Sequence, residues 1–88
     1  MRLFLLRQNI QKTDRQILKL LKKRFFLSKE IAKEKRKEKK AIKNEKVEQK
    51  LLYKYTNGFS ISENIRLIYK EIFKQSREFQ KKINSQKY

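Results

Sequence analysis

Eighty-eight residues make one domain at most, and a chain of that length buries only about 60 to 65% of its unfolded surface, which leaves a marginal core of its own. One Gly, no Pro, no Trp and no Cys, with 38% apolar and 40% charged residues, point to long helices. The lack of Cys excludes disulfides and thiolate metal sites, the lack of His excludes imidazole bases, ligands and nucleophile pairs, and the net charge of +17 raises the question of an anionic partner.

The first element opens with MRLFLLR, whose four successive apolar residues before Arg7 are too few for a signal-peptide core. Nothing approaches a transmembrane length, so a cytoplasmic chain is expected. Leu3, Leu6, Ile10, Thr13, Ile17, Leu20, Arg24, Leu27 and Ile31 then alternate steps of three and four, the spacing of a heptad seam. One long helix over about 3–37 follows. Residues 33–46 hold eight cations, three acids and only Ala41 and Ile42 as apolar residues, so the seam fades into a connection with no Gly or Pro to mark its edge.

Asn44 can cap a second helix over about 45–56, with Glu45 suited to its first turn and Val47, Leu51 and Tyr55 forming a short stripe. Asn57-Gly58 stops it, with the only Gly in the left-handed position. Ser60-Ile61-Ser62-Glu63 reads as a capping box opening a third helix over about 61–84. Its stripe runs Ile61, Ile65, Ile68, Ile72, Ser76, Phe79, Ile83. The expected architecture is all-α: a single domain over 1–88 of three helices, long, short and medium.

Nineteen of the 26 cations are Lys, and nine Ile stand against two Ala, a bias expected of an A/T-rich genome. The charge therefore reads as solvated helix faces rather than as a footprint for nucleic acid. A nucleic-acid binder should order its cations on one face with aromatic interleaving, whereas Phe25, Phe26, Tyr69 and Phe73 read as packing residues.

Besides Thr13, three polar residues sit on or beside the apolar stripes: Arg24, Ser76 and Gln80. Burying a neutral polar group without a partner costs on the order of 1 to 3 kcal/mol, and a charge costs more. On periodicity alone Arg24 is a snorkelling side chain, a register-fixing seam residue or a ligand group. Ser76 and Gln80 are either a helix back-bond and an edge amide or a pair on one working face. Lys35 lies eleven residues after Arg24, which returns it to nearly the same face about 16 Å along the helix. If the two faces meet, the cavity between them holds Arg, Lys, Gln and Ser, an inventory suited to a small, anionic, oxygen-rich ligand.

The run LRQNIQKTDRQILKLLKKRFFLSKEIAKEK, from Leu6 to Lys35, resembles the first helix of the all-helical AroQ class of chorismate mutases, with its L-R-x-x-I-x-x-x-D-x-x-I/L-L-x-L-L-x-x-R-x-x-L pattern. The resemblance continues through AIKNEKVEQKLL, where the family usually shows P-V-x-D-x-x-R-E-x-x-x-L. It ends in IYKEIFKQSREFQ, where the family has I-x-x-x-S-x-x-x-Q. It implies an intertwined homodimer that rearranges chorismate to prephenate, in phenylalanine and tyrosine biosynthesis, without a metal or cofactor. It also implies residue roles. Arg7, supplied across the dimer interface, and Arg24 would bind the two carboxylates of chorismate, Lys35 and Gln80 would approach the ether oxygen, Glu48 and Asn44 would address the hydroxyl end, and Ser76 would contact a carboxylate. No specific nucleic acid and no membrane enter this reading.

Three positions depart from the pattern. Ala41 stands for Pro, Asn44 for Asp, and Val47 for an Arg, so one cation is missing unless Lys43 or Lys50, a turn to either side, takes its place. An isochorismate pyruvate-lyase on the same scaffold and a non-catalytic basic helical protein that binds nucleic acid are the alternatives.

Overall fold

The computed structural model describes residues 1–57 and 62–85, without the side chain of Ser62. It is all-helical: α1 spans Arg2–Lys37, α2 spans Glu45–Thr56 and α3 spans Ser62–Ser85, with no strand among the described residues. The expected left-handed Gly58 and the Ser60 end of the capping box lie outside the described residues. No helix is long and apolar enough to cross a membrane among the residues described.

α1 ends through a helix-stop motif that the sequence does not advertise. Lys39 N donates to Arg36 O at 3.2 Å and Lys40 N to Lys35 O at 2.8 Å, the paired bonds of a Schellman turn. Lys39, with φ of 58°, takes the left-handed position that usually falls to Gly. Lys35, Arg36 and Lys37 in the last turn favour the negative end of the helix dipole. The connection then folds back, and Lys35 Nζ donates to Ile42 O at 2.6 Å. α2 starts where Asn44, in extended geometry, accepts a 3.2 Å hydrogen bond from Val47 N through its side-chain oxygen.

α3 is the central element and packs against both α1 and α2. Apart from Arg24, the heptad seam is not the face of α1 that meets it. Leu21, Phe25, Ser28 and Ala32 form a second stripe at the same spacing, and all four are half-buried or buried. The seam residues Leu3, Leu6, Ile10, Ile17, Leu20, Leu27 and Ile31 stay 46–63% exposed. Phe26, expected to pack, is exposed as well, as are Val47 on α2 and Ile68 on α3.

The core of one chain is correspondingly small. Among the described residues Ala32, Leu52 and Phe73 are the buried apolar ones, and Ser28, Ser76 and Gln80 are buried beside them. Aromatic pairs fill the flanks, with Phe25 edge-on to Phe79 at 5.4 Å and Tyr69 between Tyr55 at 4.8 Å and Phe73 at 5.9 Å. The molecule is flat and elongated, 55 × 31 × 14 Å.

Candidate active site

Helical spacing places Arg24, Ser28, Ile31 and Lys35 along one edge of α1, in steps of four, three and four. Phe73, Ser76, Arg77 and Gln80 present the facing edge of α3, and Asn44, Val47, Glu48 and Leu51 on α2 close the third side. Together they enclose a cavity of about 250 Å³. That is just below the range of pockets for drug-sized ligands and suits a compact molecule. A larger concavity of about 840 Å³ runs along α2, past Lys46, Lys50 and Tyr53, but every residue lining it belongs to α2 or its cap, so no second element faces in.

The cavity side chains are held by bonds that cross between helices. Arg24 Nη1 donates to Ser76 Oγ at 2.9 Å, and the guanidinium carbon lies 5.4 Å from the centre of the Phe73 ring. Gln80 Nε2 donates to Ser28 O at 3.0 Å, which uses one of the two amide N–H groups and leaves the other. Lys35 keeps two further donors beyond its bond to Ile42 O. Among the described residues neither Arg24 nor Lys35 has a carboxylate within 4 Å.

Six of the seven residues implied by the sequence are therefore gathered here: Arg24, Lys35, Asn44, Glu48, Ser76 and Gln80. Arg7 is not. It is exposed near the start of α1, 17 residues before Arg24 and so about 25 Å away along the helix.

The sequence reading missed Arg77. Its Nη1 lies 2.6 and 2.7 Å from the two carboxylate oxygens of Glu48, tying α3 to α2. Lys43 and Lys50, the expected stand-ins for a cation at Val47, do not line the cavity: Lys43 pairs with Glu45 at 3.3 Å at the surface, and Lys50 faces the groove along α2. One signal for Arg77 was present. Glu48 is one of only nine acids, and its place on the cavity side of α2 called for a cation on the helix opposite.

The three helices thus surround a cavity lined by Arg24, Lys35, two amides, two hydroxyls and the Glu48–Arg77 pair. The family model for chorismate mutase type II matches residues 6–81, from one end of this arrangement to the other, and the chain belongs to that family, the all-helical AroQ class. No curated protein and no solved structure matches it.

Proposed function

We propose that the chain rearranges chorismate to prephenate in the cytoplasm, on the route to phenylalanine and tyrosine, as a homodimer that needs no cofactor. The observation that carries this reading is the convergence of Arg24, Lys35, Ser76 and Gln80 on one small cavity in which neither Arg24 nor Lys35 has a carboxylate partner among the described residues. Chorismate brings two carboxylates and an ether oxygen, which are the groups such a cavity can satisfy.

The reaction is intramolecular. The ether carbon–oxygen bond breaks as a carbon–carbon bond forms, so no nucleophile, base or metal takes part. Two tasks remain for the protein. It must hold the compact diaxial conformer, and it must stabilise the negative charge that gathers on the ether oxygen. Arg24 clamps one carboxylate with support from Ser76. Lys35 and Gln80 donate to the ether oxygen, and Glu48, with Asn44 nearby, orients the ring hydroxyl.

Arg7 of a second copy clamps the other carboxylate. Two features support the dimer: the distance from Arg7 to the cavity within one chain, and an apolar seam along α1 that one chain leaves in water. The test is the loss of chorismate absorbance with the product identified. Prephenate is the expected product. Pyruvate released from isochorismate would instead make the chain a lyase, and a folded dimer that turns over neither substrate would overturn the reading.

A further inference from the structure

We propose that Arg77 is a positioning residue that neutralises Glu48 inside the cavity and so supplies from α3 the positive charge that α2 lacks at Val47. The inference rests on the function proposed above. A ligand with two carboxylates and a cavity wall that carries Glu48 have the same sign of charge, so an unpaired Glu48 would oppose binding. Arg77 removes that opposition. Its Nη1 chelates both oxygens of Glu48 at 2.6 and 2.7 Å, and both side chains are about one-fifth exposed. Among the described residues this is the one ion pair that joins two helices; the other five involve neighbours in sequence and stand about half-exposed or more.

The pairing also fixes a direction. Each carboxylate oxygen has two acceptor positions, so Glu48 can hold Arg77 and still accept from a ligand hydroxyl. The pair thus orients Glu48 toward the cavity without adding net charge. Arg24 and Lys35 stay available for carboxylate and ether oxygens. Val47 lines the same cavity from α2 and contributes no charge, which leaves Arg77 as the cation closest to Glu48.

Steady-state kinetics on the full chain, with helical circular dichroism to confirm folding, separates an electrostatic role from a merely structural one. Arg77→Gln should raise KM for chorismate by about tenfold or more, because a partly buried carboxylate loses its partner. Adding Glu48→Gln to that variant should bring KM back toward the parent value while kcat stays low. If Arg77→Gln does not fold, the doubly neutral variant carries the comparison: a KM within about threefold of the parent supports the inference and a large rise overturns it. An active parent with an unchanged KM in folded Arg77→Gln, or a KM equally raised in the doubly neutral variant, would overturn the inference and leave the mutase reading standing. An inactive parent would remove both.

Discussion

Arg24 on α1 reaches across to α3 and donates to Ser76 Oγ at 2.9 Å, while the ring of Phe73 lies 5.4 Å from its guanidinium carbon. The head of this side chain is thus held on two sides, by a hydroxyl and by an aromatic face, with no carboxylate paired to it among the described residues. Such a site is specific for a planar fork. Lys cannot reproduce the stacked, multiply donating geometry. We expect Arg24→Lys to lower kcat/KM by about a hundredfold or more, and Ser76→Ala to lower it by about tenfold or less, since one neutral hydrogen bond contributes less than a charged one. Near-parent activity in Arg24→Lys would show that Arg24 only sets helix register.

Gln80 gives a pH signature. The chain has no His and no Cys, so no side chain has an ordinary pKa between about pH 6 and 8.5, and the rate should be nearly flat across that range. A carboxyl must keep its proton to donate, whereas the amide of Gln80 donates throughout. Gln80→Glu should therefore turn the plateau into a profile that falls as pH rises. Gln80→Ala and Lys35→Ala should each lose about a hundredfold in kcat with helicity intact. A flat profile in Gln80→Glu would remove Gln80 from the ether oxygen.

Assembly is tested by mixing. Arg7→Ala and Arg24→Ala chains, each inactive alone, should recover activity together once subunit exchange is verified, because a hybrid dimer contains one site with both arginines. Leu20→Asp, in the exposed seam, should shift sedimentation toward the monomer and abolish turnover at the same concentration. Sedimentation of Leu20→Asp as a full dimer would place the interface elsewhere.

A fourth expectation concerns the end of α1. Lys39 holds a left-handed backbone at φ 58°, a conformation that costs a residue with a Cβ roughly 1–2 kcal/mol. Lys39→Gly relieves that strain but frees the unfolded chain, so the net gain should be about 0.5–1 kcal/mol, read as a rise of a few degrees in Tm at fixed protein concentration. Its activity should match the parent, since Lys39 does not line the cavity. A lowered Tm would show that the lysine side chain contributes more than its backbone costs.

Residue spacing in the sequence carries part of this fold and not the rest. Three helices were legible because a beat of three and four needs only residue spacing, and Asn44 was legible as a cap because its side chain acts three residues away. The cavity was legible in part for the same reason: Arg24 with Lys35, and Ser76 with Gln80, are related by helix arithmetic alone. The packing face of α1 was not. Leu21, Phe25, Ser28 and Ala32 run beside the seam at the same spacing, and nothing local decides which stripe meets α3 and which stays in water. Arg77 was missed because its partner lies 29 residues earlier on another helix. Lys39 gave no signal, since its conformation comes from the bonds around it rather than from its side chain.

Half of the buried side chains among the described residues are polar: Ser28, Ser76 and Gln80 occupy the centre that Leu or Met would fill in a protein optimised for folding alone. Under the function proposed above, durability and turnover draw on the same few positions. Repacking Gln80→Met would trade an amide for a better-packed apolar group and should make the fold hardier as it silences the chemistry. Selection for persistence alone would favour apolar groups at all three positions.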